Sequence, residues 1–305
     1  MNKKIVLCGI QEQGKDIIRF LHENGIKVTH IVTISKAVAA LNRSDGTWVS
    51  YAGIATEYNI NIYYAKSYNL KAEEDLNYFK EHNFHILLLG GWQRLIPEEV
   101  LSTIAYAIGQ HGSSEFLPKG RGRSPLNWAI ILGKKRLIWN LFLLTPGTDD
   151  GDILDYSIFE IRDQDTCRTL YYKVSVVVKH MLVRTIPKLL CNSIEPLKQI
   201  GAPSYFEKRL PEDGLINWTK SVYEINDLIR AVAHPYPGAF TEYRGIKIMI
   251  WKAQVWDTFI DFYKGNKYGS VVEVFDSSFV VKCYDGLLLI TEHDDRDVFK
   301  NKDYA

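Results

Sequence analysis

The chain has 305 residues, 46% of them hydrophobic and 24% charged, with a formal net charge of +1. That length allows two domains and a sizeable core, and the near-neutral balance excludes bulk attraction to nucleic acid or to an anionic membrane. No stretch stays apolar for the length of a membrane span, and the opening MNKKIVLCGI is too short and strand-like for a signal peptide, so a cytoplasmic location is expected.

Lys4–Gly9 is a short apolar run, followed by a helix with Ile17, Ile18 and Leu21 at helical spacing and a second strand over Lys27–Thr33. This is the βαβ opening of a doubly wound sheet. Its glycines do not spell G-x-G-x-x-G, so a nicotinamide cofactor is not indicated. Gly9 and Gly14 read as a tight turn into the helix, whose first N–H groups can take a phosphate; Gly9 and Gln11 are therefore candidate substrate contacts. Asn42–Tyr63 reads as loop with short elements, and Lys71–His82 as a charged helix with Leu76 and Phe79 inward. Ile86–Leu89 has the continuous apolar character of a buried parallel strand. It runs into Gly90-Gly91-Trp92-Gln93-Arg94-Leu95-Ile96-Pro97, a glycine-assisted turn with Pro97 at the first helical position.

Ile108 to Trp128 reads as a strand end carrying His111, an irregular Gly/Arg loop and a helix start near Pro125, with the helix continuing to Gly133. Leu137–Leu144 and Ile153–Ile161 are predicted strands on either side of a Gly/Asp turn, Thr145–Asp152. Thr166 is placed as the N-cap of a long helix to Leu190, interrupted near Pro187. Alternation of strand and helix over the first 190 or so residues predicts a Rossmann-like, mostly parallel sheet covered on both faces. Pro196–Leu215 is a Pro/Gly/charge-rich connector, and Ser221–Ala233 a helix. Ile246, Ile248 and Ile250 alternate with Lys247, Met249 and Trp251, and strands near Ser270–Phe275, Phe279–Tyr284 and Leu287–Thr291 follow. The tail is thus a small antiparallel β unit, giving a division into residues 1–200 and 201–305.

His111, Leu117-Pro118, Arg121-Gly122, Pro125 and the Asp149-Asp150-Gly151 turn resemble the signature of the folate-dependent formyltransferases. The form H-G-S-S-x-x-L-P-K-G-R-G-R-S-P-L-N-W is most similar to the bacterial sugar N-formyltransferases. The resemblance implies 10-formyltetrahydrofolate as formyl donor, with the pterin held by Gly91, Trp92, Gln93, Arg94, Leu95 and Ile96 and by the Pro146, Gly147, Thr148 turn. It implies a nucleotide-linked amino sugar as acceptor, and His111 and Asp149 as catalytic histidine and aspartate. In one respect the chain departs from the family: the usual asparagine two residues before the histidine is Gly109 here.

The chemistry suits those residue types. Moving a formyl group onto an amine requires deprotonating the amine, stabilising the carbonyl oxygen and protonating the leaving nitrogen. An imidazole serves the first and shares in the second, and a carboxylate beside it fixes its orientation. A lone histidine after an apolar run is more often structural, but the surrounding motif reverses those odds. Asp150 and Asp152 are rival carboxylates whose turn positions suit loop shaping. On a strand, Gly109 and His111 share a face while Gln110 points away, so Gln110 is a poor substitute for the missing amide. Lys119, Arg121 and Arg123 are candidate contacts to a diphosphate, with Arg121 also suited to binding structure, whereas Lys134, Lys135 and Arg136 read as a solvated helix end. Cys8, Cys167, Cys191 and Cys283 are scattered with no C-x-x-C, so neither a disulfide framework nor a metal site is expected. Methionyl-tRNA formylation is the rival within the reaction class, and a catalytically impaired binding relative is the rival outside it. Oligomeric state is open, a homodimer included.

Overall fold

The computed structural model describes residues 3–243 and 245–294. Five short segments form its parallel strands: β1 (Ile5–Gly9), β2 (His30–Thr33), β3 (Asn61–Tyr64), β4 (Ile86–Gly90) and β5 (Tyr106–Ser113), ordered β3-β2-β1-β4-β5. Between them run helices α1 (Glu12–Glu23), α2 (Lys36–Leu41), α3 (Ala52–Glu57), α4 (Glu73–His82) and α5 (Glu98–Leu101). β1 and β4 at the centre are buried on both faces, as continuous apolar runs require. The polar stretch after Asn42 contains α3 and β3, and α4 begins two residues later than its charge pattern suggests. Within α4, Asp75 is fully buried and accepts from Tyr63 Oη, the Lys66 and Ser67 amides and Ser67 Oγ. That carboxylate ties the loop after β3 to the helix.

Beyond β5 the chain forms a two-residue strand β6 (Arg121–Gly122), α6 (Pro125–Ile131), β7 (Arg136–Leu143) and β8 (Ile153–Glu160). β7 and β8 join the same sheet but run antiparallel, so five parallel strands carry an antiparallel edge pair. For β8 the reason is local: the loop 144–152 joins it to β7 with no crossover helix, and adjacent strands so joined pair antiparallel. α7 (Cys167–Leu190) starts at a capping box on Thr166 and Thr169. It continues through Pro187 rather than breaking there, because only the last turn remains beyond the proline.

The connector folds back onto the sheet unit. Its strand β9 (Tyr205–Phe206) pairs in parallel with β6, and Leu197 bridges Ile153. After a 3-10 turn (Pro211–Gly214), α8 (Val222–Val232) leads to five antiparallel strands: β10 (Ala239–Tyr243), β11 (Ile246–Asp257), β12 (Val271–Phe275), β13 (Ser278–Lys282) and β14 (Leu287–His293). One apolar core runs from Leu7 and Ile17 through Val174 and Val178 of α7 to Ile225 and Ile229 of α8 and Ile248 and Ile290 beyond. The β unit at the end therefore packs onto the α/β unit through α8.

Candidate active site

His111 stands near the carboxyl end of β5, where ligands bind in open α/β sheets. Pairing of β5 with β7 sets Gly109 opposite Phe142 and His111 opposite Asn140, so these four share one face, while Gln110 lies on the other. Gly109 is packed, not open: a Cβ there would lie 2.6 Å from Leu144 Cδ2 and 2.8 Å from Phe142 Cε2. Hydrocarbon thus occupies the space an asparagine side chain would need. Gln110 is engaged elsewhere, donating to Leu89 O at 3.2 Å and accepting from Trp139 Nε1 at 3.3 Å. Asn140 is fully buried and donates to His111 O at 3.3 Å, while its Oδ1 has no partner. An asparagine in the middle of the apolar run Ile138–Leu144 was the available sign of this residue, and motif reading passed over it.

The His111 imidazole is 6% exposed and held at both nitrogens. Nε2 lies 2.8 Å from Gly120 O, and since a carbonyl only accepts, Nε2 carries a proton in this arrangement. Nδ1 lies 3.4 Å from Asp149 Oδ2, which also accepts from the Gly122 amide at 3.2 Å. Asp149 has φ +52°, a left-handed conformation that aspartate and asparagine tolerate better than most residues. Asp150 instead accepts from Thr145 Oγ1 within the turn, and Asp152 pairs with Lys198 at 2.6 Å. Of the three carboxylates, Asp149 is the one brought to the histidine.

The loop and the turn are stitched together by the connector. Gly120 N donates to Ser204 Oγ and Arg121 N to Ser204 O, both at 2.9 Å. Gly122 has φ +100°, and a Cβ there would stand 2.5 Å from Phe206 O, so only glycine lets β9 approach. Arg121 is 8% exposed; its Nε and Nη2 reach Gln199 Oε1 at 3.2 and 2.7 Å, and its Nη1 reaches Tyr205 Oη at 3.2 Å. The structure therefore gives Arg121 internal partners. Lys119 and Arg123 are exposed and, among the described residues, have no acidic partner.

Two cavities share Leu89, Trp92 and Gln110 in their walls; the first borders Asp149, while the second takes Gln110 and Trp139 from the sheet face opposite His111. The first, about 460 Å³, is also lined by Gln93, Arg94, Leu95, Ile96, Gly109, Gly122, Arg123, Phe142, Leu144, Thr145, Gly147, Thr148 and Asp149. It contains the expected folate residues except Gly91 and Pro146. Gly91 supplies the left-handed turn after β4, at φ +81°. Tyr68 anchors the loop, accepting from the Gln93 amide at 3.1 Å and lying under the Arg94 guanidinium. The second cavity, about 510 Å³, is lined by Gln11, Gln13, Asp16, Gly91, Trp139, Tyr171, Tyr172, Val174 and Ser175. Asp16 is the only charged residue in that wall. Gly9 is packed under the Tyr51 hydroxyl and Gly90 O and lines neither cavity. Larger cavities lie between α8 and β11 and near His82, away from His111. Among the described residues no cluster of three metal-type ligands occurs, and no helix is long and apolar enough to cross a membrane.

Comparison with known proteins gives a consistent picture. Residues 2–186 match the family described as formyl transferase, and residues 209–304 match its C-terminal domain. A methionyl-tRNA formyltransferase of Caldanaerobacter subterraneus subsp. tengcongensis is 30% identical over 95% of this chain and 91% of its own length. The bifunctional polymyxin resistance protein ArnA of Wigglesworthia glossinidia brevipalpis is 34% identical over 83% of this chain, which spans 38% of that longer protein. Among solved structures, an N-formyltransferase from Helicobacter canadensis, in complex with folinic acid and dTDP-3-aminofucose, superposes with a TM-score of 0.68 at 20% identity, over 96% of this chain and 100% of that one.

Proposed function

Because the chain belongs to the formyltransferase family, we propose that it transfers the formyl group of 10-formyltetrahydrofolate to the amine of a nucleotide-linked amino sugar. The observation that carries the acceptor class is the charge balance: a net charge of +1 suits the two phosphates of a sugar nucleotide better than the many phosphates of a tRNA. The first cavity takes the folate, with Arg94 and Arg123 at its wall to meet the carboxylates of the folate tail. Lys119, exposed on the loop that leads to His111, is the cation offered to the diphosphate.

The folate supplies an activated formyl group; the protein's residues do the rest. In the neutral tautomer with its proton on Nδ1 facing Asp149, His111 turns a bare Nε2 from Gly120 O to the substrate, takes the proton from the attacking amine and returns it to the nitrogen that leaves. Asp149 holds Nδ1 and balances the imidazolium that forms. With Phe142 and Leu144 filling the space beside Gly109, that imidazolium also faces the carbonyl oxygen as charge builds on it.

A transfer assay with 10-formyltetrahydrofolate and a panel of UDP-, dTDP- and GDP-linked amino sugars tests this reading. Formylation of at least one is expected, and none reacting while charged initiator tRNA does would overturn it. The similarity to methionyl-tRNA formyltransferases over almost the whole chain makes that tRNA the required control.

A further inference from the structure

We infer that Gln199, a connector residue that both family matches leave out, is the positioning residue that sets the catalytic turn. Its side chain closes a ring of contacts around the site. The Gln199 Nε2 donates at 2.8 Å to Asp149 O and at 2.8 Å to Gly151 O, while its Oε1 accepts from Arg121 Nε and Nη2. Both ends of one amide are used in full: two donated bonds and two accepted ones.

The two sides so joined are the two that hold the histidine. On one side, the Asp149 backbone is left-handed, and its carbonyl is fixed by Gln199 so that its carboxylate reaches His111 Nδ1 and the Gly122 amide. On the other, Arg121 belongs to β6, whose neighbour Gly120 offers its carbonyl to His111 Nε2. A shift of Gln199 therefore moves the carboxylate, the carbonyl and the folate-side wall at Gly147 and Thr148 together. Gln199 lines neither cavity, so it acts through Asp149 and Arg121 and not on a ligand.

The inference rests on the formyl-transfer reading, and its test separates the two. Gln199→Glu keeps an oxygen for Arg121 but turns a second acceptor against the Asp149 and Gly151 carbonyls. Gln199→Asn keeps the amide on a side chain too short to span both sides. The readouts on each folded variant at 25 °C are kcat, KM for the acceptor, and the dissociation constant of 5-formyltetrahydrofolate. An ångström of displacement at a reacting group costs roughly 10²-fold. The expected result is a kcat lower by about 10- to 100-fold with acceptor KM nearly unchanged, and folate binding weakened by about tenfold in both variants. A merely structural glutamine would lower the melting temperature and leave those constants alone. Folded Gln199→Glu or Gln199→Asn with wild-type kcat and folate affinity overturns the inference. Should wild type formylate no sugar nucleotide, the acceptor reading fails while the folate measurement still judges Gln199.

Discussion

Gly109→Asn returns the family's usual residue to this chain, and the structure predicts that it harms the protein. The Cβ alone would lie 2.6 Å from Leu144 Cδ2 and 2.8 Å from Phe142 Cε2 and Cζ. Phe142 has little freedom to yield, since it is 3% exposed and packed with Leu117 and Ile153. Overpacking of this kind costs about 1–3 kcal/mol, and a buried amide with no arranged partner adds about 1–3 kcal/mol. At roughly 2–4 °C per kcal/mol, the melting temperature should fall by roughly 4–24 °C. Scanning calorimetry on the purified variant measures this directly. Phe142→Leu makes room, so the double variant Gly109→Asn/Phe142→Leu should be less destabilised than the sum of the singles, by about 0.5–3 kcal/mol. An unchanged melting temperature for Gly109→Asn would refute the packing argument.

His111→Asn should leave the fold intact and lower kcat by roughly 10²- to 10⁴-fold in the transfer assay; near-normal turnover would remove it from the mechanism. Asp149→Asn retains a residue at ease in the left-handed region, so its melting temperature should hold while kcat drops by a similar order, whereas Asp150→Asn should be much milder. The reverse order of the two aspartates, read in the same assay, would move the catalytic role to Asp150. Burial, with His82 and Lys4 nearby, lowers the His30 pKa to about 4. A neutral histidine in the fold that ionises near 6.5 when unfolded contributes stability above that pH, and loses it between about 6.5 and 4 at up to about 1.4 kcal/mol per pH unit. His30→Phe should flatten the melting temperature over that window, and an unaltered profile would dismiss the residue. Saturation with 5-formyltetrahydrofolate at about 100 times its dissociation constant should stabilise the protein by about 2.7 kcal/mol, and a chain showing no shift has no folate site.

What was visible in the sequence is local in origin. Ile86–Leu89 and the opening βαβ announce themselves by apolar runs and helical spacing, and the loop from Gly91 to Ile96 by its glycine and proline. His111 and Asp149 were found through a motif, and the structure places their side chains 3.4 Å apart. What remained hidden depends on which strands pair. The antiparallel run of β7 beside β5 puts Phe142 across from Gly109, a juxtaposition that no spacing along the chain reveals. Gln199 sits in a polar connector with no periodicity, and its partners lie about fifty and eighty residues away along the chain. Nothing in the charged run KAEEDL sets Asp75 apart from its acidic neighbours, yet it is a buried hub.

In the proposed function an amino sugar on a nucleotide, not a charged tRNA, is the acceptor. The most direct measurement places both in one reaction with 10-formyltetrahydrofolate and follows the formyl label at 50 and 200 mM salt. Few phosphates are neutralised in a sugar-nucleotide complex, so the label should appear on the sugar with kcat/KM only modestly lower at the higher salt. A tRNA acceptor making 6–10 phosphate contacts would lose about 10³- to 10⁵-fold in affinity over that range. Label on methionyl-tRNA alone, falling steeply with salt, would contradict the account.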